Sequence, residues 1–145
     1  WKIAKTQHKV IIVLADPGMG KSTLLRLEAL STAQEARQKI ENGEELQTVV
    51  FPLYLRLSDL ADSPKDEEVF NSVCRLIQRD YAKSAPILHL LLQDKLKAGE
   101  CLLLLDALDE VSPEKRISLS QKLNRFVNNY PCPIVGTSRI VGYYS

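Results

Sequence analysis

The chain has 145 residues, of which 45% are hydrophobic and 26% charged, a size and balance that suit one globular domain. Its net charge of +1 comes with dispersed basic residues, which argues against nucleic acid or a membrane surface as a partner. Cys74, Cys101 and Cys132 are too widely spaced for a zinc site and are expected to be reduced and buried. The sequence shows no secretory leader pattern and no apolar run of membrane-spanning length, so the expected location is the cytoplasm.

The first predicted element is a strand, because Val10–Leu14 is an unbroken apolar run before a loop rich in proline and glycine. A helix is predicted from Gly20 to a stop signal at Asn42 and Gly43. The core-facing side of this helix is expected to carry Leu24, Leu27, Leu30, Ala33 and Ile40.

The middle of the chain predicts one strand and two helices. The strand covers Val49–Leu57, and Pro52 places it at a sheet edge because proline cannot donate a ladder hydrogen bond. The first helix is predicted to start with Ser63 as its N-cap and Pro64 at its first position. The second helix covers Pro86–Lys97. The first helix is expected to bury Val69, Phe70, Val73, Ile77 and Tyr81.

The last third of the chain predicts a strand at Cys101–Leu105, a helix that begins at Ser112 and Pro113, and a strand at Pro133–Thr137. The helix has an apolar stripe made of Leu119, Leu123, Phe126, Val127 and Tyr130. Strands that alternate with helices predict an α/β fold, in which helices cover both faces of a parallel sheet of four strands.

A candidate phosphate-binding loop lies between the first strand and the first helix. It consists of Ala15, Asp16, Pro17, Gly18, Met19, Gly20, Lys21, Ser22 and Thr23, and it matches G-x-x-x-x-G-K-[ST] except for alanine at the first position. Gly18 and Gly20 allow backbone N–H groups to point towards a polyphosphate at the positive end of the helix. Lys21 is expected to contact the β- and γ-phosphates, and the Ser22 hydroxyl to bind Mg²⁺. The alternative is a Gly/Pro turn followed by a solvated lysine.

Acidic residues follow the third strand. Asp106 ends this buried strand, at the sheet edge where α/β folds bind ligands, and is expected to hold the Mg²⁺ shell. Ala107 leaves room beside the phosphates, and Asp109 or Glu110 is placed to orient or deprotonate an attacking water. A hydrophobic strand that runs into a solvated acidic turn is the alternative.

Arg139 follows the fourth strand and is predicted to reach the same sheet edge, where it could contact the γ-phosphate as the terminal bond breaks. The alternative for Arg139 is a solvated residue at the end of a strand. His8 and Lys9 precede the first strand, and we interpret both as surface residues rather than as contacts to the base or ribose.

Together these motifs resemble the NACHT family, within the STAND class of P-loop NTPases. The resemblance is carried by Ala15–Thr23 (ADPGMGKST), Leu102–Val111 (LLLLDALDEV) and Ile134–Arg139 (IVGTSR), with Gly142 and Tyr143 following. It implies a three-layer αβα fold with strand order 1-4-3-2. Residues 1–145 would form a NACHT-type nucleotide-binding domain that stops before the fifth strand, the lid and the winged helix of such proteins.

The resemblance also implies roles for individual residues. Lys21 and Ser22 would hold phosphate and magnesium, and Asp106 the metal. Asp109 or Glu110 would direct the hydrolytic water, and Arg139 would act as the first sensor of the γ-phosphate.

The function implied by the resemblance is an ATP/ADP-binding switch with slow Mg²⁺-dependent hydrolysis. Such a switch controls self-oligomerisation in signal transduction and innate defence, with effector and sensor domains outside this segment. The sequence lacks an N-K-x-D guanine-binding motif, which favours adenine. One alternative is a small-molecule phosphotransferase, although no cluster of lid arginines is evident. The other is a scaffold that does not hydrolyse nucleotide.

Overall fold

The computed structural model describes residues 10–139, and its four strands form one sheet. The strands are β1 (Val10–Leu14), β2 (Phe51–Arg56), β3 (Cys101–Asp106) and β4 (Ile134–Ser138). All pairings are parallel, and the strand order is β1-β4-β3-β2. The predicted α/β class and strand order are confirmed, as is the edge position of β2, the strand that contains Pro52. His8, Lys9, Gly142 and Tyr143 lie outside the described residues.

Helices flank this sheet. They are α1 (Lys21–Glu41), α2 (Leu57–Ala61), α3 (Val69–Asp80), α4 (Ala85–Lys97) and α5 (Pro113–Asn129), with 3₁₀ turns at Leu46–Thr48 and Leu108–Glu110. Within residues 10–139, no helix is both long and apolar enough to cross a membrane.

The side chains of β3 alternate between two hydrophobic clusters, one on each face of the sheet. Cys101, Leu103 and Leu105 join the larger cluster, which α2, α3, α4 and α5 complete. Leu102 and Leu104 join a smaller cluster centred on Leu25 of α1. Since side chains in a strand alternate with a period of two, Asp106 lies on the α1 face together with Leu102 and Leu104. The register of β3 therefore directs its terminal carboxylate towards the start of α1.

The prediction for the buried side of α1 was wrong. Leu25 is fully buried and Ala36 is buried, whereas Leu27 is 59% exposed and Leu30 and Ile40 are exposed as well. Leu25 and Ala36 are eleven residues apart, close to three full turns, so they share a face. Small residues on this face let α1 lie close to the sheet, while Leu27 lies about 200° around the helix from Leu25.

The predicted start of the helix after β2 was also wrong. β2 ends at Arg56, the short helix α2 follows, and α3 begins only at Val69. Ser63 caps no helix, because its hydroxyl donates to the Leu60 carbonyl and accepts a 2.5 Å hydrogen bond from the buried Lys122 ammonium. In the first turns of α3, Val69 and Val73 are buried as predicted, but Tyr81, which follows its last residue, is 64% exposed.

Candidate functional site

The carboxyl ends of the four strands meet along one rim of the sheet. The strand register pairs Leu14 with Ser138, Arg56 with Asp106 and Leu105 with Gly136, so the four strands end within one residue of the same level. This is the edge at which open α/β sheets bind ligands. A cavity of about 340 Å³ opens there, lined by Pro17, Gly18, Gly20, Lys21, Ser22, Thr23, Asp106, Ala107, Asp109, Glu110, Thr137 and Arg139.

The loop between β1 and α1 depends on glycine for its backbone conformation. Gly18 and Gly20 have φ values of 79° and 78°, which L side chains rarely adopt, although a Cβ at either position would meet no neighbour within 4 Å. Gly20 is the N-cap of α1 and offers no capping side chain, so the first N–H groups of α1 have no side-chain partner from that position. Ala15 has no positive φ, which explains why alanine is accepted where the motif has glycine.

Lys21 is held by the loop that it follows. Its ammonium donates to the carbonyl oxygens of Ala15 at 2.8 Å and Asp16 at 3.0 Å. An ammonium has three protons to donate, so one remains for another acceptor in the cavity. Ala15 and Asp16 therefore support Lys21 through their backbone and do not line the cavity themselves. Met19, the other loop residue outside the lining, has an exposed side chain.

Asp106 is 3% exposed and accepts hydrogen bonds on both carboxylate oxygens. The Thr137 hydroxyl donates to Oδ1 at 2.5 Å, and the Tyr54 hydroxyl donates to Oδ2 at 2.7 Å. Burial by itself would raise the pKa of Asp106. The hydrogen bonds from Thr137 and Tyr54, followed by one from Ser22 and by the charge of Arg26, more than offset burial and lower this pKa. Asp106 is therefore an ionised carboxylate, and it lines the same cavity as Ser22.

Ala107 is the one non-glycine residue with positive φ in the described part of the chain, at 64°. Its N–H donates to the Thr137 hydroxyl at 3.0 Å, and this hydroxyl in turn donates to Asp106. Thr137 therefore links the acid at the end of β3 to the backbone that follows it. A residue with a larger side chain would make the left-handed turn more costly, which accounts for alanine at this position.

The two other acids of the cluster are each paired with an arginine. Asp109 accepts the backbone N–H of Arg139 at 3.1 Å and pairs with its Nε at 3.0 Å. Its side chain is 12% exposed, against 54% for Arg139. Glu110 pairs with Arg56 at 3.2 Å, and both of these side chains are about half exposed. The 3₁₀ turn Leu108–Glu110 thus presents one sheltered and one accessible carboxylate.

Sequence reasoning missed three residues of this site. Tyr54 of β2 and Thr137 both donate a hydrogen bond to Asp106, and the charge of Arg26 on α1 acts on Tyr54 and Asp106. Burial, and then the Asp106 carboxylate beside it, raise the pKa of Tyr54, so its hydroxyl stays protonated. The alternation along each strand could have indicated Tyr54 and Thr137, since both fall on the α1 face.

A parallel sheet in the order β1-β4-β3-β2, with a glycine-rich loop and a lysine between its first strand and first helix, defines the class of P-loop NTPases. Comparison with known proteins identifies the family within that class. The NACHT domain family model matches residues 9–139, and the chain belongs to this family of nucleotide-binding NTPase modules. A comparison with curated proteins gives no match.

Proposed function

We propose that this domain is an ATP/ADP-binding regulatory switch with slow, Mg²⁺-dependent ATP hydrolysis, which controls the oligomerisation and signalling of a larger protein. The observation that carries the proposal is the convergence of Lys21, Ser22, Asp106 and Arg139 on one cavity. Membership of the NACHT family supports the nucleotide-binding part of it. The cytoplasmic location expected from the sequence remains a prediction.

The donor set at the rim suits Mg²⁺. The Ser22 hydroxyl and the ionised Asp106 carboxylate line the same cavity, and oxygen ligands of this kind are the ones that Mg²⁺ prefers. Bound there, Mg²⁺ would neutralise part of the charge on the β- and γ-phosphates. We therefore assign Ser22 and Asp106 to the metal, with Thr137 and Tyr54 holding the carboxylate in place.

The phosphates are assigned to the loop and the start of α1. The N–H groups from Gly18 onwards and the free end of the helix form a field that favours anions. Lys21 would donate its remaining proton to a phosphate while its other two protons stay on the loop carbonyls. Pro17 donates no backbone N–H, so it shapes the loop without binding phosphate.

Of the two candidate bases, Glu110 is the better placed to activate water. Its partner Arg56 is half exposed, and exposed ion pairs are worth only about 0–1 kcal/mol, so Glu110 is easily released. Asp109 is sheltered, and both of its oxygens are engaged by Arg139. We assign Asp109 to positioning Arg139, whose guanidinium would contact the γ-phosphate.

Two features support a switch over a phosphotransferase. Arg139 is the one arginine among the described residues that line the cavity, which leaves no arginine cluster for a second substrate. Asp109 also holds Arg139 at the cavity through Nε, which leaves the other N–H groups of the guanidinium for a γ-phosphate. A ligand shifts a conformational equilibrium when it makes different contacts in the two states, and a contact of Arg139 with the γ-phosphate would be made by ATP and not by ADP.

Lys21→Ala tests the proposal, with Lys39→Ala, an exposed lysine further along α1, as the matched control. The 145-residue chain is titrated with ATP and ADP in Mg²⁺, and phosphate release is followed with no acceptor added. We expect binding and slow release to be lost in Lys21→Ala and retained in Lys39→Ala. Unchanged nucleotide binding by Lys21→Ala would favour the scaffold, and ATP turnover that needs a small-molecule acceptor would favour the phosphotransferase.

A further inference from the structure

We propose that Tyr54 is a positioning residue for the magnesium site. Its hydroxyl fixes the orientation of the Asp106 carboxylate and so sets the affinity for the metal-nucleotide complex. The inference rests on the proposed function, since it assumes that Asp106 serves Mg²⁺. It adds a residue from the edge strand β2, which none of the three sequence motifs contains.

The geometry of the carboxylate is the first support. Asp106 accepts hydrogen bonds from both neighbouring strands. The Thr137 hydroxyl of β4 donates to Oδ1, and the Tyr54 hydroxyl of β2 donates to Oδ2. Because β3 lies between β2 and β4, the two bonds approach from opposite neighbours and fix the plane of the carboxylate. A carboxylate offers about four lone-pair positions, so positions remain for Ser22 and for a metal or its water.

The reach of the tyrosine is the second support. In the register of β2 with β3, Tyr54 lies opposite Leu104, two pairs before the Arg56–Asp106 pair. Its side chain lies on the α1 face and extends diagonally across the pleat to the acid two residues further on, a distance that aromatic side chains can span. A shorter hydroxyl residue at position 54 could not make this bond.

The third support is the positive charge of Arg26 on α1. Arg26 lies one helical turn after Ser22 on α1, and its charge acts on the Tyr54 hydroxyl. Its charge also acts on Asp106. Tyr54 therefore connects the acid of β3 to the helix that carries Lys21 and Ser22. Ser22 and Asp106 would hold the metal, and the Tyr54 and Thr137 bonds would keep the acid in place for it.

Residues that hydrogen-bond to metal ligands commonly tune the affinity for the metal, and their loss typically lowers this affinity about 10–100-fold. Tyr54→Phe removes one oxygen atom and keeps the ring that packs against the cluster under α1, of which Leu104 is part. Tyr81→Phe is the matched control, since the Tyr81 side chain is exposed at the end of α3. Circular dichroism establishes that each variant is folded.

The measured quantity is the ratio of ADP affinities with and without Mg²⁺, obtained by titration calorimetry on the whole chain. We expect Tyr54→Phe to reduce this ratio roughly 10-fold and to leave the metal-free affinity unchanged. Tyr81→Phe should leave both the ratio and the metal-free affinity unchanged. In an Asp106→Asn background, Tyr54→Phe should have no further effect, because the carboxylate that it orients is gone.

An unchanged ratio in Tyr54→Phe, or an equal loss of affinity with and without Mg²⁺, would overturn the positioning role. Such a result would leave the proposed nucleotide site intact. Absence of ADP binding by the unmodified chain in both conditions would instead overturn the proposed function, and the role of Tyr54 with it.

Discussion

Ala107 shows how a single backbone angle constrains the candidate site. Sequence reasoning explained the small residue by the room that it leaves for phosphates. The structure gives a different reason, because the residue has φ of 64° and its N–H is bound to Thr137. Without this turn, the chain after β3 could not bring Asp109 within reach of Arg139.

Ala107→Val should destabilise the fold, because a β-branched residue is strained in the left-handed region. We expect a loss of about 1–3 kcal/mol in the free energy of unfolding, measured in urea. Ala107→Gly should change stability by no more than about 1 kcal/mol. Glycine relieves the backbone strain of the positive φ, but it also makes the unfolded chain more flexible and so raises the entropy cost of folding. Equal stability of the valine and alanine proteins would show that the turn is not required.

Asp109 and Glu110 are adjacent in sequence, yet their surroundings predict different effects on turnover. Glu110→Gln should slow phosphate release by about 100-fold or more with ATP affinity retained, as expected for loss of a general base. Asp109→Asn should weaken ATP binding as well, because Arg139 loses its ionic partner. Single-turnover phosphate release and ATP titration separate the two outcomes. A larger loss of rate in Asp109→Asn than in Glu110→Gln would reverse the assignment.

At the scale of elements, continuous apolar runs predicted the strands to within two residues at each end. β1 is fully apolar and β3 is apolar up to its last residue, Asp106, and the glycine signal at Gly43 correctly marked the end of α1. The failures occurred where one helix carries leucines on several sides, as in α1, and where a buried tertiary contact decides a boundary. Lys122, 59 residues after Ser63, uses the hydroxyl that was expected to cap α3. No local pattern contains that contact.

The corrected face of α1 gives a stability prediction. Leu25→Ala should lower the free energy of unfolding by about 2–5 kcal/mol, since it leaves a cavity at the centre of the cluster beneath the helix. Leu27→Ala is the matched control on the same helix and should change stability by less than about 0.5 kcal/mol. Chemical denaturation of both variants decides between the two faces. A larger loss of stability in Leu27→Ala than in Leu25→Ala would show that the side of α1 expected from the sequence is the buried one.

At the scale of the whole molecule, parallel pairing explains why motifs far apart in sequence meet. β1, β3 and β4 each end in a candidate site segment, and parallel strands bring those ends to one rim. The sequence could therefore predict the phosphate loop, Asp106, the Asp109–Glu110 pair and Arg139 as one group. Alternation along β2 indicates which face Tyr54 lies on, but its bond to Asp106, 52 residues away, depends on strand register and could not be predicted. The topology also leaves β1 at an edge, with Val10, Ile12 and Leu14 partly exposed.

Paramagnetic broadening of backbone amide signals by Mn²⁺ and ADP tests most directly whether loop and acid share one metal-nucleotide site. Mn²⁺ prefers the same oxygen ligands as Mg²⁺ and broadens signals from nuclei close to it. In the ¹⁵N-labelled chain, we predict that the amide signals of Ser22, Asp106 and Ala107 broaden together, while that of Leu88 on α4 stays sharp. Broadening of Ser22 without Asp106, or a pattern centred away from the rim of the sheet, would contradict the account.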